Sequence, residues 1–453
     1  MAWSPTRVML KAVLALKFAI YAIVMFVQIL GELFAASSRG RTLPSPAPRK
    51  NRELQNIVIV GASFAGYHAV RIIATTLPPN TPYRVIMIEP HSHFHFTWVL
   101  PRFCVVDGAH KAFIPYGPYL NGAPEGRVQW IQDRVAEVGR ATVRLARDGE
   151  VIPYAFLVIA TGSGANDGLP SRVGADEKRE GLHQLETIRT RIRDSKNLVI
   201  VGGGAAGVEL AADAKHNYPE KNITLVHSRD AVLHRFGPEL QLAATKALTS
   251  LGVELILGNR TTGNDIGSGA VSLTSGRTVE CDFLVRLAKA LDEMMTNPSN
   301  QVNCSGQRPS SALISNLSPK AISPTGHIGV KSTLQIRDDS LPNVYVCGDV
   351  ADAGVRNPNA RVAMHQATTV ANNIVQAATG NSPAETYTPF WADSIIKLTL
   401  GLTRSVSHLS DGKAELLWPT KEKDLALMSA KAWRRMGATP FEDHEVPPAM
   451  TRL

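Results

Sequence analysis

The sequence predicts an α/β fold, with two Rossmann-like units in one chain followed by a smaller α+β C-terminal domain. Three observations predict it. A short apolar strand runs into a glycine turn and then a helix over residues 56–74, and the same order recurs from residue 197. Two further apolar strands, at 157–162 and 344–349, break at small residues. A chain of 453 residues is long enough for two or three cores, and 44% hydrophobic with 19% charged residues is the balance of a folded protein.

The first fifty residues stand apart. From Val8 to Phe34 the chain is mostly apolar, interrupted by Lys11, Lys17, Gln28 and Glu32. A transmembrane helix needs about 20 apolar residues, so the cleanest run, Phe18 to Val27, is short, and Ala12 to Leu30 crosses only if Lys17 snorkels. An in-plane amphipathic helix tolerates the lysines. A cleaved targeting segment and a helix docked on the enzyme are the other readings, although no convincing cleavage site precedes Ser37-Ser38. A retained membrane anchor is the expectation. Residues 37–50, with Arg39, Arg41, Arg49, Lys50 and three prolines, read as a linker beside an anionic surface.

The first unit begins with the strand Asn56–Val60, followed at once by Gly61-Ala62-Ser63-Phe64-Ala65-Gly66 and a helix to Ala74. Gly61 permits the tight turn, Gly66 lets helix and strand approach, and Ser63 stands where backbone must come close to a pyrophosphate. Serine there departs from the G-x-G-x-x-G pattern. The second strand, Tyr83–Ile88, restores the case by ending in Glu89, whose carboxylate can accept both ribose hydroxyls of an adenosine. Leu157 to Gly162 then supplies Thr161 and Gly162 beside a passing cofactor. Val344 to Asp349 ends in Gly348-Asp349, where the acid can bond a ribityl chain. Together these pieces point to FAD.

The second unit has the strand Asn197–Val201 and a full G-x-G-x-x-G in Gly202, Gly204 and Gly207, with a partner strand at Ile223–His227. It is the expected NAD(P)H site, with helix N–H groups facing a pyrophosphate. The positions that choose between NADH and NADPH read His227-Ser228-Arg229, with no acid before Asp230. Arg229 can pair with a 2′-phosphate or merely face solvent, and the preference stays open.

Other features exclude more than they assign. A net charge of +9 suits anionic ligands, a membrane surface or a mitochondrial address, and no basic run interleaved with aromatics marks a nucleic-acid partner. Cys104, Cys281, Cys304 and Cys347 have no dithiol or zinc spacing and read as free thiols. His91, His93 and His95 would share one face of an extended segment, but no acid or cysteine is spaced to complete a metal site.

In this order the motifs resemble the glutathione-reductase-like flavoproteins and, more narrowly, the apoptosis-inducing-factor family in its mitochondrion-associated branch. The likeness runs from Asn56 to Pro440. It is most specific in Gly202 to Glu209, Tyr218-Pro219-Glu220-Lys221, Thr224 to Ser228, Gly348-Asp349, and the late stretch Lys421–Met436 with Trp433. The resemblance implies a glutathione-reductase-type fold, FAD and NAD(P)H as cofactors, and NAD(P)H:quinone oxidoreductase activity. By position it implies that Gly61 to Ala65 hold the FAD pyrophosphate, that Arg102 binds FAD, that Val135 touches adenine and that Asp349 binds the flavin. Glu209 becomes the candidate catalytic residue near the flavin–nicotinamide junction.

Three departures accompany the likeness. Position 2 is Ala2, where related animal proteins carry a glycine for myristoylation, so the apolar N-terminus is expected to replace a lipid. A lysine expected shortly after Gly348-Asp349 is absent, with Asn359 or Arg361 in its vicinity. Residues 286–303, a polar stretch without pattern, separate Cys281–Val285 from Cys304-Ser305-Gly306. Such an insert at a strand-to-turn junction reads as a retained intron.

The expected organisation is an anchor and linker over 1–50, an FAD domain in two parts, 51–185 and 307–388, an NAD(P)H domain over 186–306, and a C-terminal domain over 389–453. A helix from about Arg361 to Ala377 would aim its N-terminus at the flavin. A lipophilic quinone at an intracellular membrane, mitochondrial or on the cytoplasmic face of a lipid droplet, is the expected acceptor, with Phe390 to Leu402 as part of its docking surface or as ordinary packing. A soluble enzyme tailoring a small metabolite and a redox-signalling flavoprotein are the alternatives. The closing Thr451-Arg452-Leu453 is only loosely like a peroxisomal tripeptide.

Overall fold

The computed structural model describes residues 5–39, 54–164, 171–262, 269–286, 308–443 and 450–452. The first sheet is centred on β1 (Gln55–Val60), flanked by β2 (Tyr83–Ile88) and β3 (Val128–Ile131) on one side and β4 (Phe156–Ile159) on the other. All these pairings are parallel, and Ile57, Val58 and Ile59 are sealed from solvent. That is why β1 reads as an unbroken apolar run rather than an alternating one. Helix α1 (Pro5–Arg39) precedes the sheet and α2 (Phe64–Thr76) follows β1.

The second sheet is β5 (Asn197–Val201), β6 (Asn222–Val226), β7 (Glu254–Ile256) and β8 (Phe283–Arg286), in spatial order β7-β6-β5-β8 and parallel throughout. Helix α3 (Lys178–Asp194) leads into it, α4 (Ala205–Asn217) follows β5, and α5 (Pro238–Leu251) lies between β6 and β7. Arg286 is thus the last residue of a strand, paired with Val201, rather than the first residue of an irregular insert. Its inclusion follows from the parallel register, which β5 extends to Val201. The rest of that insert, and Cys304, lie outside the described residues.

The chain then returns to the first sheet. Strand β9 (Val344–Val346) pairs with β4, and helix α6 (Ala360–Ala378) packs along α2 with Val370 and Ile374 buried. Next comes an antiparallel sheet of β10 (Ile396–Thr399), β11 (Arg404–Ser410) and β12 (Glu415–Lys421), then helix α7 (Ser429–Arg435). Trp433 of α7 is buried and donates its Nε1–H to the Lys111 carbonyl. A last strand, β13 (Met450–Arg452), adds to the open edge of the first sheet beside β3, so the tail leaves its own sheet to close another.

Helix α1 docks by one face. Lys11 pairs with Glu239 and Lys17 with Asp411, Leu14 is sealed between them, and the Tyr21 ring meets Phe390 and Trp391. The opposite face carries Met9, Val13, Leu16, Ile20, Ile23 and Val27 in the open, Leu16 at 62% exposure and Ile23 at 63%. Among the described residues no helix is long and apolar enough to cross a membrane. The transmembrane form of the anchor is therefore not met, and Lys17 turns toward protein instead of snorkelling.

Candidate dinucleotide sites

The carboxyl ends of β1, β4 and β9 lie side by side, and this brings residues 61–66, 157–162 and 344–349 together. Contacts between the glycine turns confirm the convergence. A Cβ on Gly66 would stand 1.7 Å from the Gly61 carbonyl oxygen, one on Gly61 2.6 Å from that of Ala160, and one on Gly348 3.1 Å from the Ala65 side chain. Gly61 also holds φ at +91°, a left-handed conformation that favours glycine. Thr161 donates its hydroxyl to the Ser310 carbonyl, and Gly162 follows in a left-handed turn that is open where a Cβ would be.

Glu89 reaches back to this turn. Its Oε2 accepts from the Ala62 N–H, while Oε1 accepts from the His91 N–H at 3.0 Å and meets the His91 ring. Burial alone would lower His91, but the neighbouring Glu89 carboxylate outweighs it and raises the imidazole above its usual range. His93 bonds Asp443, and burial pushes His95 down to about 3. Neither α2 nor α4 has a side-chain N-cap or an acid in its first turn, so the first-turn N–H groups of both helices stay available to an anion.

Beside Gly348 and Asp349 lies a cavity of about 200 Å³, lined also by His327, Val355, Val362 and Gln366 near the start of α6. Gln366 fixes the turn by accepting the Gly348 N–H at 2.7 Å. Asp349 faces Arg172 at 3.8 Å and Ser163. Asn359 caps α6 by accepting the Arg361 and Val362 N–H groups, and Arg361 donates to the Ala392 carbonyl. Asn359 therefore serves the helix start, while Arg361 ties that start to the turn at Trp391–Ser394.

Arg102 and Glu209 occupy a different place. The Arg102 guanidinium is buried against Asp213 of α4 and donates to the Gly401 and Leu402 carbonyls, so its hydrogen bonds go to α4 and the β10–β11 connection rather than to the first glycine turn. Burial raises Asp213 to about 6, with Arg102 working against it. Glu209, one helical turn before Asp213, accepts the Thr399 N–H at 3.0 Å, and burial pushes its carboxyl up to about 8. Val135 is buried in the first core at the start of an antiparallel excursion. Cys104, Cys281 and Cys347 are buried thiols, not joined in disulfides, all pushed upward by desolvation.

In the second unit Gly202 turns at φ +120° and Gly204 precedes α4 with open space where a Cβ would be. Gly207 lies buried in the helix. Residues 55–367 match the family described as pyridine nucleotide-disulphide oxidoreductase. The chain belongs to that family. It is an FAD-dependent NAD(P)H oxidoreductase, and its described cysteines are single thiols rather than a dithiol pair.

Among its relatives, Fe-regulated protein 8 of Mycosarcoma maydis is 29% identical over 414 residues, 86% of this chain and 96% of that protein. Ferroptosis suppressor protein 1 of Xenopus tropicalis is 29% identical over 391 residues, 85% of this chain and 97% of the relative. The fold is similar to that of the sulfide:quinone oxidoreductase from Aquifex aeolicus, at a TM-score of 0.64 and 15% identity over 85% of this chain and 92% of the other. A NAD-dependent persulfide reductase from A. fulgidus is similar at a TM-score of 0.59 and 18% identity, covering 78% of this chain but only 64% of that longer protein.

Sequence reasoning missed two features. The carboxylate that meets Arg102 lies 111 residues away on another unit, and nothing local announces it. The second is the role of His227 within His227-Ser228-Arg229: it follows its strand as Glu89 follows β2, which an alignment of the two units by sequence gives.

Proposed function

We propose that this chain is a membrane-surface NAD(P)H:quinone oxidoreductase, with FAD in the first unit and the nicotinamide nucleotide in the second. The observation that carries the acceptor is α1. Its inner face is pinned by Lys11, Leu14, Lys17 and Tyr21, while Met9, Val13, Leu16, Ile20, Ile23 and Val27 form an outer apolar ridge. A helix of this kind lies in the plane of a bilayer, where a long-tailed quinone is dissolved. The basic run Arg39, Arg41, Arg49 and Lys50 that follows suits anionic headgroups.

The residues present fit the two nucleotides. Gly61, Ala62, Ser63, Phe64, Ala65 and Gly66 form an uncapped helix start for the FAD pyrophosphate, Glu89 a carboxylate for its ribose, and Gly162, Gly348 and Asp349 the walls along which its isoalloxazine end would lie. Gly202, Gly204 and Gly207 would hold the second pyrophosphate. When bound, FAD accepts hydride from the nicotinamide and passes electrons to the acceptor. Glu209 holds a proton in a site closed to water, between α4 and β10, and keeps a negative charge out of that junction at neutral pH.

Anaerobic reduction of the FAD-loaded protein by NADH and NADPH, followed by ubiquinone, tests the reading. Rapid bleaching of the flavin band and prompt reoxidation by a long-tailed quinone in vesicles are expected, with reoxidation in vesicles lost on removal of residues 1–50. Bleaching without reoxidation by any quinone would reject the acceptor and leave the oxidoreductase standing.

A further inference from the structure

The two units carry the same hydrogen bond with different partners. In the first, the second residue of the glycine turn, Ala62, donates its N–H to Glu89, the residue immediately after the second strand. In the second unit Gly203 donates its N–H to Nδ1 of His227 at 3.1 Å, and His227 holds the same position, immediately after β6. The two contacts are equivalent, and an imidazole replaces the carboxylate. A Cβ on Gly203 would stand 2.7 Å from that ring, so the turn is built around it.

The replacement reverses what the position can accept. A carboxylate bonds the 2′-hydroxyl of an adenosine and repels a 2′-phosphate. His227 cannot repel one. With Nδ1 accepting, the ring proton resides on Nε2. Nε2 is buried without a hydrogen-bond partner in the structure, and the residue as a whole is only 8% exposed. A buried donor left unmet is costly, and a ligand acceptor would recover that cost.

Two cations stand beside it. Burial, followed by the charges of His234, Arg229 and Arg260, lowers His227 to about 4, and the His234 ring centroid lies 5.5 Å from its own. The Arg229 carbonyl accepts the Gly258 N–H at 3.0 Å, and the Asn259 N–H bonds the His227 carbonyl, which ties the loop of Arg229 to the loop of Arg260. The Arg260 N–H is itself anchored on Asn259 and Thr274. Among the described residues no hydrogen bond or ion pair occupies either guanidinium. Asp230 is exposed and lies toward Gly258, with Oδ1 3.3 Å from where a Cβ would stand.

We infer that the second unit selects NADPH over NADH, with His227 Nε2, Arg229 and Arg260 receiving the adenosine 2′-phosphate. This rests on the assignment of the nicotinamide nucleotide to the second unit and is independent of the electron acceptor. Arginine suits the task because its planar fork bonds phosphate oxygens in pairs.

Titration of the oxidised, FAD-loaded protein with NADP⁺ and with NAD⁺, followed by calorimetry, reads binding without turnover. NADP⁺ is expected to bind at least about ten-fold tighter, with an advantage that shrinks as salt rises. Arg229→Gln and Arg260→Gln should each weaken NADP⁺ several-fold while leaving NAD⁺ nearly unchanged. His227→Glu, verified as folded by its flavin content, should turn the preference toward NAD⁺. Equal affinity of the parent protein for both nucleotides, or equal weakening of both by the arginine variants, would overturn the selectivity. Binding of neither would overturn the assignment of the unit itself.

Discussion

Arg102 grips Asp213 through two hydrogen bonds, Nε to Oδ2 at 2.6 Å and Nη2 to Oδ1 at 3.1 Å, with both side chains sealed from solvent. The pair joins the short helix Leu100–Phe103 to α4 of the second unit, and the Gly401 and Leu402 carbonyls complete the guanidinium shell. Removing one partner strands the other charge in a dry interior. Asp213→Ala should therefore cost about 3–5 kcal/mol, seen as a lower denaturant midpoint, because breaking a buried pair costs more than the pair itself contributes. A loss under about 1 kcal/mol would mean that water reaches the guanidinium and that the two units are not locked there.

Glu209 makes the stability of the protein depend on pH in a defined direction. Its folded pKa of about 8 lies above the ordinary carboxyl value of 4.5, chiefly through burial. The native state therefore binds the extra proton between those two values, and stability falls as pH rises through that window. The full effect is on the order of 5 kcal/mol at about 1.4 kcal/mol per pKa unit. Glu209→Gln keeps the shape and removes the titration, so the variant should be the more stable protein at pH 8 and lose its advantage near pH 5. Thermal melts of both proteins across that range check the sign, and parallel curves would show that Glu209 is ionised in the fold.

What was legible in the sequence was what the backbone demands locally. Gly61, Gly66 and Gly202 are forced by left-handed turns or by carbonyls where a Cβ would stand, so their spacing announces the two units. Glu89 was legible because an acid closing a strand after such a turn has few other uses. Relationships across the fold were not. Lys11 and Lys17 look like interruptions of an apolar span until Glu239 and Asp411, each over 200 residues away, are brought beneath them. The strand Met450–Arg452 is three residues long, too short to show any period. The place of His227 is legible as one of the three residues after its strand, but its bond to the Gly203 N–H is not, because histidine in that position carries no motif of its own.

The glycines of the two turns should separate folding from binding. At Gly66 a methyl group would fall 1.7 Å from a backbone oxygen, so Gly66→Ala must displace the turn and should yield a protein that neither holds FAD nor melts cooperatively. Gly204 lies in extended backbone, φ −76°, and a Cβ there meets nothing within 4 Å. Gly204→Ala should keep its flavin and its melting temperature while losing affinity for nicotinamide nucleotides by about ten-fold or more, since the added methyl occupies the approach to the α4 N–H groups. Flavin absorbance and nucleotide titration on the two variants distinguish the cases. A Gly204→Ala protein that binds nucleotide normally would place the pyrophosphate elsewhere.

The two faces of α1 make opposite predictions. Leu14 is fully buried under the helix, so Leu14→Asp should undock it and expose both faces, leaving vesicle binding intact or stronger while the contacts of Lys11 and Lys17 are lost. The outer ridge behaves the other way. Leu16, Ile20 and Ile23 lie more than half exposed, so a triple change to glutamate should cost little stability in solution, within about 0.5 kcal/mol per site. It should nevertheless abolish flotation with anionic vesicles, because the burial of three large side chains in lipid is replaced by three charges that anionic headgroups repel. Anaerobic flavin reduction by the nicotinamide nucleotide should be unchanged in that variant, and only turnover with a vesicle-dissolved, long-tailed quinone should fall. If flotation persists with three glutamates on the ridge, α1 is not what meets the bilayer, and the basic stretch beyond it becomes the segment to test by neutralising Arg39, Arg41, Arg49 and Lys50.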